Sequence, residues 1–200
     1  MDTIEEKRGD FMSENQPPKY PYARKMLEEI KSEYAIENER ENKIATKASA
    51  FITVVVAIIT LYIPLIPFNN MIEFFRAKHS CVVICLVILS LLLLVVGFVV
   101  LMVAFGFFIK AYGVKGHNRV EVNDLLAIAN QNEYKQTEDQ VNQGLVAQYH
   151  QILCGFNGKA GNMEINTQSA LANKTGITLT VIGFAIMSIA TIALRIMIVV

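Results

Sequence analysis

The sequence predicts an all-α integral membrane protein with three transmembrane helices, and three long apolar runs are the reason. The run Cys81–Ile109 contains no charged residue, and about 20 apolar residues already suffice to cross a bilayer. A second run, Ala48–Ile66, follows Lys47 and ends at a Pro-Phe-Asn-Asn sequence. The third, Ile177–Val200, is interrupted only by Arg195 and lies in a predicted span 175–200.

Composition separates the chain into charged segments and uncharged spans. Lys plus Arg and Asp plus Glu number 18 each, while the mean hydropathy is +0.38. The first ten residues carry more acid than base, and no apolar run precedes Ala48. We therefore expect no secretory signal or transit peptide, and the first span should act as its own insertion signal.

The distribution of Lys and Arg near the span ends predicts the topology. Basic residues flank the spans on one side at Arg40, Lys43, Lys47, Lys110, Lys115, Arg119 and Lys174. The connection between the first two spans carries only Arg76 and Lys78. Because positive residues favour the cytoplasmic side, the N-terminus and residues 110–174 should be cytoplasmic, and residues 67–80 should form an external loop.

Outside the spans, residue patterns predict further helices. Residues 1–21 contain three prolines and no periodicity, which indicates a flexible cytoplasmic tail. Residues 22–47 form a predicted amphipathic helix that continues into span 48–66, because no Gly or Pro separates them. In the cytoplasmic region, helices are predicted at Glu121–Asn132, at Glu138–Leu153 and from Asn162 into the third span, with a glycine-rich break between the last two. The apolar stripes of 23–34 and 141–152 should bury against each other or against neighbouring subunits.

Each span carries a stripe of small or hydroxylated residues. Span one presents Thr53, Ala57 and Thr60 on one face, and these are the candidate pore-lining residues. The candidate helix-packing residues of spans two and three are Ser90, Gly97, Ala104 and Gly183. Small residues let helices approach closely, and hydroxyls can face a water-filled lumen. Ordinary helix packing explains any one stripe, but the presence of a stripe on all three spans predicts a homo-oligomer. We take four as the number of its subunits, a tetramer.

Several classes of protein are disfavoured by what the sequence lacks. Ionisable residues are absent from the middle of every span, unlike in ion-coupled transporters. The three histidines are scattered without a second ligand at metal spacing, and Cys81 and Cys85 lie inside a span, where a thiol acts as a small apolar group. We therefore expect no metal, no cofactor and no enzymatic activity. Gly158-Lys159 lacks the spacing and the Ser or Thr of a P-loop.

Basic and aromatic residues of the cytoplasmic segments could bind an anionic ligand. The candidate ligand-binding residues are Arg24, Lys25, Arg119, Lys135, Tyr149 and His150. Positive charge combined with aromatic stacking suits a nucleotide or an oligonucleotide, and no duplex DNA is expected. Alternatively, Arg24 and Lys25 pair with glutamates four residues further along a solvated helix.

The layout of the chain resembles a family of bacterial membrane effectors. A tyrosine-rich helix, Tyr20–Tyr34, enters span one, a short hairpin leads to span two, and the helix Asn162–Asn173 feeds span three. This arrangement resembles the SLATT-type effectors of anti-phage defence and the channel component of Hailong-type systems. The resemblance implies an antiviral pore in the bacterial inner membrane, gated by a nucleotide second messenger from a partner nucleotidyltransferase. Its opening would depolarise and arrest the infected cell. The alternative is a non-conducting anchor or assembly subunit for another membrane protein.

Overall fold

A computed structural model describes residues 23–77, 80–113 and 138–199 of the chain. The described part is helical apart from one short hairpin. Its elements, in chain order, are α1 (Ala23–Tyr62), a 3-10 turn (Ile63–Leu65), α2 (Phe68–Arg76), α3 (Cys81–Tyr112), α4 (Glu138–Cys154), β1 (Gly155–Phe156), β2 (Lys159–Ala160) and α5 (Asn162–Val199). The predicted tail 1–21 and the predicted helix Glu121–Asn132 lie outside the described residues.

The first helix is a single rod. It contains 40 residues without Gly or Pro, and at 1.5 Å per residue it is about 60 Å long. Its first half is charged and its second half is the apolar run from Ala48, so the predicted continuity of the two segments is confirmed. Pro64 in the following 3-10 turn ends it.

Helices α3 and α5 form the central pair of the bundle. Phe108 and Leu101 of α3 and Met187 of α5 pack with Val55 of α1 in one buried cluster. Ala48, Ala111 and Ala172 form a second cluster at the level where the polar half of α1 meets its apolar half. These contacts show that α5 runs parallel to α1, while α3 runs antiparallel to both.

Helix α4 packs against the polar half of α1. The Tyr149 ring of α4 meets the Tyr34 ring of α1 edge to face, with ring centroids 5.4 Å apart. The two apolar stripes predicted to bury against each other, or against copies in other subunits, therefore meet within one chain. Because a hairpin joins α4 to α5, α4 runs antiparallel to α5 and α1. We call this charged part of the bundle, formed by residues 23–47 and 138–174, the polar end.

The glycine-rich break is a β-hairpin with a two-residue turn. Gly155 pairs with Ala160 and Phe156 with Lys159. Asn157 and Gly158 between them have φ angles of 49° and 77°, which is the left-handed conformation that a type I′ turn requires. From the sequence we predicted only a glycine-rich break and not this hairpin, although the Asn-Gly dipeptide is the strongest short-range signal of a hairpin.

The connection predicted as the external loop 67–80 also contains regular structure. The nine-residue helix α2 occupies most of it, and Phe74 of α2 packs against Val87 and Leu194. Arg195, near the same end of the bundle, donates from Nε to the Leu65 carbonyl oxygen at 3.3 Å. We call this end of the bundle, from Ile63 to Ser80, the loop end.

Candidate functional site

The small residues predicted for helix packing lie inside the bundle. Ser90 and Ala104 of α3 are 6% and 0% exposed, and Gly97 of α3 and Gly183 of α5 are buried. Gly97 and Gly183 lie at the contact between α3 and α5, and Ala104 belongs to the buried cluster shared by α1, α3 and α5. The stripes on spans two and three are thus already used within the subunit.

At two of these positions an added side chain would require neighbouring atoms to move. A Cβ atom placed on Gly97 would lie 2.6 Å from Met187 Cγ and 3.1 Å from the Met187 backbone nitrogen. A Cβ atom on Gly183 would lie 2.9 Å from Leu101 Cδ2 and 3.2 Å from the Gly97 carbonyl oxygen. Close approach of backbones is the usual reason for glycine at membrane helix contacts.

The small residues of span one lie on the outside of the bundle. Thr53, Ala57 and Thr60 are exposed, and with the neighbouring Pro64 they line a shallow open groove. We call Thr53, Ala57 and Thr60 the threonine face. The groove is completed by Val56, Leu61 and Leu65.

The hydroxyl groups of the threonine face have a local partner. Thr53 Oγ1 donates to the Ser49 carbonyl oxygen at 3.2 Å, and Thr60 Oγ1 donates to the Val56 carbonyl oxygen at 2.9 Å. Each hydroxyl oxygen keeps its acceptor capacity. The face can therefore contact water or a polar group, and it can equally pack in a dry helix interface without leaving a hydroxyl proton unpaired.

The threonine face contrasts with the other outward surfaces of the apolar spans. Large aliphatic side chains dominate the exposed side of α3, where Leu92 and Val95 are 58% and 56% exposed. On α5, Ile189 and Val181 are 64% and 62% exposed. Such aliphatic surfaces suit contact with lipid. The side chains of Thr53, Ala57 and Thr60 are smaller, and the two threonines are more polar.

The candidate ligand-binding residues do not converge. Arg24 pairs with Glu28 at 3.8 Å and Lys25 with Glu29 at 3.9 Å, as the alternative reading of these two residues anticipates. Arg24 lies ten residues before Tyr34, hence about 15 Å along α1 from the place where Tyr149 packs. His150 is exposed on α4. Arg119 and Lys135 lie outside the described residues.

The acidity of the Tyr149 phenol is perturbed. Partial burial, followed by the nearby Tyr34 phenol, raises the pKa of Tyr149 above its usual value. The phenol therefore remains neutral at physiological pH. Its role against Tyr34 is packing between α1 and α4, and a neutral phenol adds no charge for an anionic ligand.

A buried polar cluster at the polar end was missed by the sequence reading. Glu37 of α1 is only 6% exposed. Asn166 Nδ2 of α5 lies 2.7 Å from Glu37 Oε2 and 2.8 Å from the Glu37 carbonyl oxygen, and Arg40 lies 3.3 Å from Glu37 Oε1. The signal was present, since Glu37 continues the stripe of Leu27, Ile30 and Tyr34 at spacings of three and four.

The cluster fixes α5 to the rod. A buried carboxylate requires charged or hydrogen-bonding partners, and Glu37 has both in Arg40 and Asn166. Further along the same pair of helices, the Tyr62 hydroxyl hydrogen-bonds with Ser188 Oγ. The two contacts join α1 and α5 at the polar end and again near the end of the first span.

Among the residues that the structure describes, three helices are long and apolar enough to cross a bilayer: α1 with its 3-10 turn, α3 and α5. This fold supports the class of α-helical membrane proteins. Within the described residues, no group of three or more His, Cys, Asp or Glu side chains could hold a metal ion. No protein-family model, curated protein or solved structure matches the chain.

Proposed function

We propose that this chain is a homo-oligomeric ion channel in which the threonine face of each subunit lines the pore. The observation that carries this proposal is the contrast between surfaces: Thr53, Ala57 and Thr60 are exposed and small, while the outward faces of α3 and α5 are aliphatic. Membrane helices associate through small residues and face water with polar ones. An oligomer around α1 would meet both conditions, and it would leave α3 and α5 in lipid.

The resemblance to anti-phage effectors supplies the physiological part of the proposal. The channel would lie in the bacterial inner membrane with the polar end in the cytoplasm, and it would act as an effector that depolarises an infected cell. A nucleotide or oligonucleotide made by a partner nucleotidyltransferase would gate it. The rod supports a mechanical link, because one unbroken helix connects the packing site of α4 near Tyr34 to the threonine face.

Gating would be a rotation or splaying of α1 between two packings, and the ligand would prefer one of them. Among the described residues, Arg24 and Lys25 remain candidates for ligand contacts, since their ion pairs are exposed and contribute little stability. A ligand phosphate could displace either glutamate at small cost.

A non-conducting anchor is the second candidate, and one observation favours it. Both hydroxyls of the threonine face are hydrogen-bonded to their own helix, at 3.2 Å and 2.9 Å. The groove beside them could therefore receive a helix of another membrane protein in a dry contact. In this case the polar identity of the two threonines would be irrelevant and their size alone would matter.

The experiment that separates the two candidates is a membrane-potential measurement in bacterial cells. Cells expressing the wild type, a Thr53→Val/Thr60→Val double variant, or a Thr178→Val control are loaded with a voltage-sensitive dye, with and without phage infection. Valine matches threonine in shape and replaces only the hydroxyl by a methyl group. Thr178 is a matched control because it is exposed on α5 and donates to its own i−4 carbonyl, that of Lys174, at 3.2 Å.

A pore lined by α1 predicts depolarisation by the wild type and by the Thr178→Val control, lost or strongly reduced in the double variant at equal membrane expression. Depolarisation that survives in the double variant would remove the threonine face from the pore. If infected and uninfected cells both keep their potential with every variant, the anchor is the correct class.

The oligomer itself can be tested with cysteines. The native Cys81, Cys85 and Cys154 are exposed free thiols, so they are first replaced by alanine. In that background, Ala57→Cys should cross-link two copies under mild oxidation, because the threonine faces converge in the proposed oligomer. Val95→Cys, on the outward side of α3, should not. Equal cross-linking at both positions would contradict the arrangement around α1.

A further inference from the structure

Helix α2 has two chemically different sides. With 100° between successive residues of a helix, Phe68, Ile72 and Phe75 lie on one side. Their exposed fractions are 56%, 57% and 51%. The polar residues Asn69, Asn70, Glu73 and Arg76 fill a different sector of the helix, centred roughly 120° around the axis from the apolar one.

The rotation of α2 about its own axis is fixed by a third position. Phe74 is 6% exposed and packs against Val87 of α3 and Leu194 of α5. Its ring also contacts that of Phe75 edge to face, with centroids 5.6 Å apart. With Phe74 inserted into the bundle, Phe68, Ile72 and Phe75 must project outward, so their exposure follows from the packing.

The chain connections determine the environment of this exposed apolar side. Only Ile66 and Pro67 separate α2 from the 3-10 turn that ends the first span, and residues 77–80 lead directly to the start of α3. A helix tied at both ends to membrane spans must lie at the membrane boundary. Val82, in the first turn of α3, is 68% exposed, so the outward surface of α3 near this connection is aliphatic as well.

We propose that α2 is an interfacial anchor that lies along the bilayer surface, with Phe68, Ile72 and Phe75 inserted between the lipid headgroups and the upper acyl chains. Amphipathic helices bind bilayers in this manner, with the apolar side buried by about 5–10 Å. The polar side, with Glu73 and Arg76, then faces water. The anchor holds the ends of α1 and α3 at a fixed depth, whether or not the protein conducts ions.

Tryptophan fluorescence tests this proposal directly, because the chain contains no tryptophan. Phe75→Trp and Asn70→Trp each introduce a single reporter, on the apolar and the polar side of α2 respectively. The full-length proteins are reconstituted into phosphatidylcholine vesicles, with and without bromine atoms on the acyl chains. Bromine quenches a tryptophan that touches the lipid, and acrylamide in the buffer quenches one that touches water.

We expect the Phe75→Trp emission to be shifted to the blue and to lose most of its intensity in brominated vesicles, with little quenching by acrylamide. The Asn70→Trp emission should show the reverse. Acrylamide quenching of both variants without bromine quenching would overturn the proposal, because α2 would lie in water. Protection of Phe75→Trp from both quenchers would overturn it too, since protein would then cover the apolar side.

Discussion

Replacement of Gly97 by alanine tests the close contact between α3 and α5. The added Cβ would meet Met187 Cγ at 2.6 Å and the Met187 backbone nitrogen at 3.1 Å, so the Met187 side chain must move and the two backbones must shift slightly apart. Overpacking of this kind costs about 1–3 kcal/mol, and alanine regains about 0.5–1 kcal/mol over glycine inside a helix. At the midpoints of these two ranges the expected net loss is about 1 kcal/mol, which for a chain of this size corresponds to a Tm lower by roughly 2–4 °C.

The assay is thermal unfolding in detergent, followed by far-ultraviolet circular dichroism, with Gly106→Ala as the matched control. Gly106 lies on the same helix, but a Cβ there would meet nothing within 4 Å. The control should therefore keep only the propensity gain, and its Tm should rise by roughly 1–4 °C. If Gly97→Ala and Gly106→Ala shift Tm equally, the tight contact of α3 with α5 is wrong.

Three further predictions concern the polar end. Asn166→Leu removes the amide donor to buried Glu37 and should lower the free energy of unfolding by about 1–3 kcal/mol in a denaturant titration; an unchanged midpoint would contradict the cluster. Gly161→Ala places a Cβ 2.2 Å from the Leu153 carbonyl oxygen, so trypsin should cleave at Lys159 faster than in the wild type; unchanged cleavage would contradict the hairpin geometry. The pKa of Tyr149 is raised in the folded state, so the neutral phenol contributes its full stabilisation below the pKa of about 10 of the unfolded chain. This contribution is lost as the pH rises through the folded-state pKa. The Tyr149→Phe variant should therefore show a smaller decrease of Tm at alkaline pH than the wild type.

The long helices could be predicted from the sequence because their signals are local. The absence of a breaker between Ala23 and Tyr62 is visible in the sequence, and so is the uncharged run within α3. The merging of the Asn162 helix with the third span follows from the same reasoning and is also observed. Hydrophobicity and helix continuity depend on neighbours in the chain, which the sequence displays.

The partner of each small-residue stripe could not be predicted, because it depends on contacts between distant segments. Ser90, Gly97 and Thr53 look alike in the sequence, yet the first two pack within the chain and the last lies outside. The same limit explains Glu37, whose burial depends on Asn166 more than a hundred residues later. Helix α2 was not predicted from the sequence for a different reason. It is only nine residues long, and the Pro-Phe-Asn-Asn sequence at its start resembles a turn.

Conductance of the purified protein in a planar lipid bilayer tests the central claim most directly. Wild-type protein should produce discrete current steps, the Thr53→Val/Thr60→Val variant should lose or strongly reduce them, and Thr178→Val should leave them unchanged. If a ligand opens the pore, currents should appear with protein purified from infected cells or after addition of a nucleotide extract from such cells. If a ligand closes the pore, currents should appear after exhaustive dialysis of the protein. Silent bilayers under all of these conditions, or equal currents from the wild type and the double variant, would contradict a pore lined by the threonine face.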